Sequence, residues 1–150
     1  MTTINRETER LLWAQQALDD PGAQLERASA DASFRSYWRS SSAGRTWILM
    51  DAPPDKEDIR PWLDIAQRLT QAGLHAPDIR AFDAELGFIL MADLGNRLYL
   101  PELNDQSVDA LYQDAMRSLL KMQLHIPCDD LPAYDENRLV AEMELMHEWF

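Results

Sequence analysis

The chain contains 150 residues, enough for one domain with a buried core and too few for two full-sized domains. Hydrophobic residues make up 46% and charged residues 27%, which is typical of a soluble globular protein. The formal net charge of −12 disfavours binding to nucleic acid or to an anionic membrane surface. No apolar run approaches the ~20 residues of a membrane-spanning helix. Because the chain also has a single cysteine, Cys128, and no secretory signal pattern at its start, the sequence predicts a cytoplasmic protein without an internal disulfide.

The first third of the sequence predicts an amphipathic helix and three short strands. The helix covers residues 4–18, and the strands cover residues 24–28, 34–40 and 45–51. The helix begins with the apolar Ile4 and stops before Pro21 and Gly22, which do not continue a helix. Aromatic and β-branched side chains favour the strands. Residues 41–44 are predicted to be a four-residue turn, which makes the second and third strands an antiparallel hairpin.

The remaining residues predict a helix, two strands and two further helices. The second helix starts at an N-cap, Asp58, and ends at Gly73. Strands are predicted over residues 79–83 and 87–92, and a long helix over residues 108–126. The last helix begins at Asp135 or Asn137 and carries an apolar stripe that continues to Phe150 without a stop signal. This bare apolar end predicts that the 150 residues are the front part of a longer protein.

Four stretches of this sequence resemble the aminoglycoside-phosphotransferase-like kinases. They are SADASFRSYWR at 29–39, WILMDAPPDKED at 47–58, GLHAP at 73–77 and GFILMADLG at 87–95. The predicted order of elements is also that of the small lobe of a protein-kinase-like fold. Within the family, the residues most resemble the bacterial cell-wall-recycling kinases that phosphorylate N-acetylmuramate and N-acetylglucosamine at the anomeric hydroxyl.

The resemblance implies an α+β fold in two parts. Residues 1–94 are expected to form a leading helix and a nucleotide-binding lobe with a five-stranded antiparallel sheet and a helix. Residues 95–150 are expected to form a hinge connector and the first helices of a truncated large lobe. The C-terminal lobe of the same protein is therefore an expected partner of this segment.

The resemblance places the loop between the first two strands over the phosphates of ATP. In protein kinases this loop is rich in glycine, so that the backbone approaches the phosphates closely. Residues 29–39 contain no glycine. Alanines and serines, which are merely small, stand in the positions where glycines would be expected. The candidate phosphate contacts are Ser33 and the backbone amides of Phe34 and Arg35.

Residues 90–95, the hinge segment, match the connection between the two lobes. In the family, main-chain groups of this segment bind adenine. By position, the carbonyl of Ala92 accepts from the exocyclic amine and the amide of Leu94 donates to a ring nitrogen. Backbone recognition accepts any side chain, so this inference rests on spacing alone.

The third strand departs from the family pattern. Many relatives carry a lysine there that pairs with the α- and β-phosphates and with an acid on the next helix. Met50 occupies that position, and no lysine precedes residue 56. Either another cation supplies the charge or nucleotide affinity relies more on Mg²⁺, and the candidate cations are Arg35, Arg39 and Lys56. Asp64 is the matching helix acid.

The sequence contains no catalytic motif of the kind that the resemblance implies. The family's catalytic aspartate, its downstream asparagine and an Mg²⁺-binding aspartate lie in the large lobe, and none of these motifs occurs here. The histidines, His75, His125 and His147, have no metal-ligand spacing. The segment is therefore expected to bind ATP, to hold no metal and no catalytic residue, and to be inactive alone. The Mg²⁺ ligands are expected beyond residue 150, and the expected acceptor is a small amino sugar.

Two alternatives remain open at the level of sequence. Residues 129–150 carry seven acids and one arginine, and such a charge suits a polycationic acceptor of the aminoglycoside type. Choline and homoserine are further possible acceptors within the enzyme class. The second alternative is a non-catalytic, kinase-like binding module, which is favoured by Met50 and by the loop without glycine.

Overall fold

Five antiparallel strands form one sheet in the order β1-β2-β3-β5-β4. The computed structural model describes residues 5–30 and 33–149. The strands are β1 Glu26–Ala30, β2 Ser36–Ser42, β3 Arg45–Asp51, β4 Ile79–Asp83 and β5 Phe88–Ala92. The helices are α1 Arg6–Leu18, α2 Arg60–Gln71, α3 Tyr99–Glu102, α4 Val108–His125 and α5 Glu136–Trp149. The predicted α+β class with a five-stranded antiparallel sheet and a kinase-like small-lobe order is confirmed.

The hairpin between β2 and β3 has a shorter turn than predicted. Both strands continue to Ser42 and Arg45, so the turn consists of Ala43 and Gly44 instead of four residues. These two residues have φ angles of 51° and 73°, the left-handed pair that matches the twist of adjacent strands. Ser42 stays on the strand because its buried hydroxyl donates to Asp20 Oδ2 at 2.7 Å.

Helix α1 packs on one face of the sheet. The buried residues of this layer are Ala14, Leu18, Ala23, Trp47, Leu49, Phe88 and Leu90. The sequence predicted an amphipathic helix but not the burial of Arg10, which is 7% exposed. Arg10 Nη1 donates to Asp51 Oδ2 at 2.9 Å, and Arg6 Nη2 donates to Asp51 Oδ1 at 2.7 Å. The predicted helix start, Ile4, lies outside the described residues.

Helix α2 packs on the opposite face of the sheet. The same strands contribute to both layers, because alternate side chains of a strand point to opposite sides. The layer of α2 contains Met50, Ala52, Ile59, Ile89 and Met91, with Trp62 and Leu63 packed against them. The prediction of Asp58 as the N-cap is wrong by one residue, since Ile59 is the cap. Asp58 still satisfies the start of the helix, because its Oδ1 accepts from the amide of Arg60 at 3.0 Å. The helix ends as predicted, directly before Ala72 and Gly73.

The chain beyond the hinge segment is helical. The four-residue helix α3 was not predicted, whereas α4 and α5 were. Asp135 begins α5, because its Oδ1 accepts from the amide of Arg138 at 3.1 Å. Large apolar side chains on α4 and α5 are half exposed or more, including Met116, Leu119, Leu120, Leu124, Met143 and Leu145. Phe150, the last position of the predicted stripe, lies outside the described residues. No described helix has the length and apolar character needed to cross a membrane.

Candidate nucleotide-binding site

A cavity of about 510 Å³ lies where the sheet meets the hinge segment. Its walls come from four strands and from the chain that leaves β5. The lining residues are Ala28, Ser29, Tyr37, Arg39, Ile48, Pro77, Met91, Ala92, Asp93, Leu94, Gly95, Asn96 and Leu98. Most of this surface is apolar. Such a cavity suits a flat, mostly apolar ring with a few directed hydrogen bonds.

Residues 92–95 of the hinge segment line this cavity, and the backbone amides of three of them are hydrogen-bonded. The amide of Ala92 donates to Asp78 O at 2.8 Å, and that of Asp93 donates to Thr46 O at 3.4 Å. The amide of Gly95 donates to Asp93 Oδ1 at 2.9 Å. Within the described part of the chain, no group accepts a hydrogen bond from the amide of Leu94. A backbone donor at the edge of the cavity is therefore available to a ligand.

An ion pair between β2 and the hinge segment lies beside this donor. Arg39 Nε donates to Asp93 Oδ2 at 2.6 Å, and Arg39 Nη2 donates to Asp93 Oδ1 at 3.3 Å and to Asn96 Oδ1 at 2.9 Å. The Asp93 side chain is only 7% exposed. The hydrogen bond from Arg39 lowers the pKa of Asp93, and the amide of Gly95 lowers it further, against the opposing effect of burial. Asp93 raises the pKa of Arg39 in turn.

The loop between β1 and β2 is fastened to the segment before α2. Residues 31 and 32 of this loop lie outside the described part of the chain. Glu57 accepts from the amide of Phe34 at 3.3 Å and pairs with Arg35 Nε at 3.3 Å. Ser33 Oγ accepts from the amide and from Nε of Arg35, at 3.2 and 3.0 Å. Lys56 Nζ lies 5.7 Å from the centre of the Phe34 ring. The structure thus brings together the predicted phosphate contacts and two of the three candidate cations.

A second cavity, of about 440 Å³, lies beside α2. It is lined by Arg35, Asp58, Pro61, Trp62, Ile65, Ala66, Leu69, Ala76 and Pro77. Pro77 lines both cavities, so that the two are neighbours. Arg35 therefore lies at the second cavity and not at the hinge cavity.

Met50 and Asp64, the predicted counterparts of the lysine and its acid, do not meet. Met50 is fully buried in the layer against which Trp62 packs. Asp64 is exposed on α2, where its Oδ2 accepts from Arg68 Nε at 2.9 Å. An apolar contact therefore fills the place where relatives carry an ion pair.

Arg39 is also separated from the other candidate cations. Arg39 lines the hinge cavity, whereas Arg35 lines the second cavity and Lys56 lies beside Phe34 of the loop. The acids that pair with the two arginines, Asp93 with Arg39 and Glu57 with Arg35, were not predicted from the sequence. The position of Asp93, directly after a buried strand, was a usable signal for the first. No local pattern pointed to Glu57, whose partners lie 22 and 23 residues earlier in the chain.

The described residues provide no metal site of their own. Within residues 5–30 and 33–149, no group of three or more His, Cys, Asp or Glu side chains could hold a metal ion. The five-stranded antiparallel sheet and the order of its elements are those of the small lobe of a kinase-like fold.

The chain belongs to the phosphotransferase enzyme family, whose sequence profile it matches over residues 24–150. Three curated relatives are similar to this chain in sequence, and each is named N-acetylmuramate/N-acetylglucosamine kinase. The relative from Pseudomonas putida is 41% identical over 93% of this chain and 44% of its own length. The relative from Pseudomonas aeruginosa is 43% identical over 87% of this chain and 38% of its own length. The relative from Neisseria meningitidis serogroup B is 33% identical over 98% of this chain and 45% of its own length. The chain therefore spans less than half the length of these relatives.

Proposed function

We propose that this chain is the ATP-binding part of a kinase that phosphorylates N-acetylmuramate and N-acetylglucosamine at the anomeric hydroxyl. The observation that carries the proposal is the hinge cavity with the available amide of Leu94. The family assignment and the names of the three relatives support the class of reaction and the amino-sugar acceptor.

In this proposal, adenine occupies the cavity of about 510 Å³. The carbonyl of Ala92 accepts from the exocyclic amine and the amide of Leu94 donates to a ring nitrogen. Tyr37, Ile48 and Met91 supply apolar surface to the faces of the ring. The two polar contacts fix the orientation of the base, whereas the apolar faces supply the contact area.

The phosphates extend along the second cavity towards the loop. Ser33 and the amides of Phe34 and Arg35 are the proposed phosphate contacts, with Lys56 as a further cation nearby. Arg35 is held beside the loop by Glu57, whose Oε2 lies 3.3 Å from Arg35 Nε. Met50 contributes only packing, because its side chain is buried and apolar.

The described residues do not fit a magnesium site, so no step through Mg²⁺ follows from this chain. We propose that the metal ligands and the base that accepts the sugar's proton lie in the part of the relatives that this chain does not span. What the chain itself provides is binding and orientation of the nucleotide. Positioning supplies a large share of the rate in phosphoryl transfer.

The test is phosphoryl transfer by a fusion protein. The chain is joined to the C-terminal part of the Pseudomonas putida relative that follows the matching region. With ATP, Mg²⁺ and either amino sugar, we expect a new ³¹P NMR signal coupled to the anomeric proton. The matched controls are the 150-residue chain alone and the C-terminal part alone, neither of which should produce this signal.

Each negative outcome identifies which part of the proposal is wrong. Transfer to kanamycin or choline but not to the amino sugars would replace the acceptor. Nucleotide binding without transfer to any acceptor would favour the non-catalytic module, which the buried Met50 also favours. Absence of nucleotide binding by the chain would refute the site itself.

A further inference from the structure

We propose that Arg39 is a positioning residue that holds the hinge segment, through Asp93, in the conformation that offers the amide of Leu94 to the nucleotide base. This role rests on the proposed function, since it assumes that a nucleotide occupies the hinge cavity. Arg39 then acts at the adenine end of the site. From the sequence it was a candidate cation for the phosphates.

The hydrogen bonds around Asp93 immobilise both neighbours of the Leu94 peptide group. Before Leu94, the amide of Asp93 is bonded to Thr46 O at 3.4 Å. After it, the amide of Gly95 is bonded to Asp93 Oδ1 at 2.9 Å. The carboxylate of Asp93 thus closes a tight loop around Leu94 and leaves its amide unbonded within the described chain. Any rotation of that carboxylate would reorient the donor.

Arg39 makes the largest contribution to holding the carboxylate of Asp93, which the amide of Gly95 and the side chain of Thr46 also bind. Two nitrogens of the guanidinium bind its two oxygens, at 2.6 and 3.3 Å, a geometry that opposes rotation of the carboxylate. Nη2 also binds Asn96 Oδ1 at 2.9 Å, one residue beyond Gly95. The same guanidinium therefore holds the hinge segment before and after its exposed donor.

The sheet explains how a residue of β2 reaches the hinge segment. Strand β3 lies between β2 and β5, and Arg39 is paired with Ile48, which is paired with Met91. The long side chain of Arg39 therefore crosses β3 on the cavity face to reach Asp93.

The position of Arg39 along its strand separates it from the phosphates. The four residue steps from Arg35 to Arg39 along the extended chain correspond to about 13 Å. The Arg39 donors described above point to Asp93 and Asn96, at the hinge end of the cavity. Its charge is thus directed at the hinge segment and away from the loop.

The experiment compares adenosine with ATP as ligands of the 150-residue chain. Dissociation constants are measured by NMR titration for the wild type and for Arg39→Met, Asp93→Asn and the double variant. We expect each single variant to lose about tenfold in affinity for both ligands, equivalent to one hydrogen bond to the base. The double variant should lose no more than either single variant, because both changes release the same donor. The amide signal of Leu94, which should shift on adenosine binding in the wild type, should shift less in the variants.

Two controls keep folding and charge effects apart from positioning. Arg97→Met removes an arginine from the same connection, where Arg97 is 86% exposed and pairs with Glu102, and should change neither constant. Arg39→Lys keeps a charge that can pair with Asp93 but cannot also bridge to Asn96, so it should recover part of the lost affinity. The amide spectrum of each unliganded variant reports whether it is folded.

Loss of affinity for ATP with unchanged affinity for adenosine would overturn the positioning role, because Arg39 would then act on the phosphates. Unchanged affinity for both ligands in a folded Arg39→Met variant would overturn it as well, while leaving the nucleotide site intact. Failure of the wild type to bind adenosine would refute the nucleotide site and, with it, this inference.

Discussion

The substitution Asp51→Asn should destabilise the chain more than an ordinary change at one site. Asp51 is 3% exposed at the end of β3, and its two oxygens accept from Arg6 and Arg10 of α1. The guanidinium of Arg10 also stacks 3.6 Å from the centre of the Trp38 ring. Asparagine keeps the shape of the side chain but removes the charge. The buried guanidinium of Arg10 would then lose its counterion.

The expected cost follows from the burial of the two arginines. Arg10 is 7% exposed, and removal of one partner from a buried ion pair costs about 3 to 5 kcal/mol. Arg6 adds little, because 30% of its side chain is exposed and its Nη2 also donates to Leu86 O at 2.6 Å. We therefore expect Asp51→Asn to lower the free energy of unfolding by about 3 kcal/mol or more. That is a large part of the stability of a small domain.

The assay is urea denaturation followed by tryptophan fluorescence, with the free energy taken from midpoint and slope. The same substitution in an Arg10→Met background should cost only about 1 kcal/mol, because the unpaired buried charge is absent. Glu9→Gln is the matched control, since Glu9 pairs with Arg6 at the surface at 3.2 Å, and it should change stability by at most about 0.5 kcal/mol. Equal costs of Asp51→Asn in the two backgrounds would refute the reasoning.

Three further predictions concern the nucleotide site. Met50→Lys, which restores the lysine of many relatives, should lower the free energy of unfolding by more than about 3 kcal/mol without tightening ATP binding, because the ammonium enters a fully buried apolar layer. A calorimetric titration that shows tighter ATP binding would contradict this prediction, and Met50→Leu is the control. Leu94→Pro should weaken adenosine binding in an NMR titration, because it removes the donor amide, whereas Leu94→Ala, which keeps the amide, should not. Equal affinities of the two variants for adenosine would exclude a hydrogen bond from the Leu94 amide to the base. Because Arg39 lowers the pKa of Asp93 in the folded chain, their pair contributes stability above about pH 4 and loses it as the pH falls through the lowered pKa. The thermal midpoint of the wild type should therefore fall more steeply below about pH 4 than that of Asp93→Asn, and parallel curves would count against the pair.

Local patterns in the sequence were sufficient for the order of the elements. The bounds of β3 and β4 were predicted to the residue, because each strand lies between clear turn or proline signals. The turn after β2 was predicted two residues too long, because Ser41 and Ser42 are of a type that is common in turns. In the structure both serines pair with β3, and Ser42 also donates to Asp20 Oδ2. The short helix α3 was missed because four residues carry no periodicity that a pattern can show.

The part of the candidate site that follows from the family resemblance lies at the hinge segment. Ala92 and Leu94 were identified by the match of this segment to the family, and both line the hinge cavity, whereas their contacts with adenine stay a prediction. The separate roles of the cations were not predictable in this way. Arg35, Arg39 and Lys56 look equivalent in the sequence, and only their partners in space distinguish them.

The sequence by itself thus determined the order of helices and strands, which depends on periodicity and turn residues, and the family, which was identified by the resemblance of four stretches to its members. Only the tertiary structure decided that Arg10 is buried against Asp51, that Met50 lies in a layer with Trp62, and that Arg39 binds the hinge segment. Each of these joins residues that are far apart in the chain, 41 residues for the first pair and 54 for Arg39 and Asp93. Partner choice at that distance follows from strand order and sheet face, which no local pattern encodes.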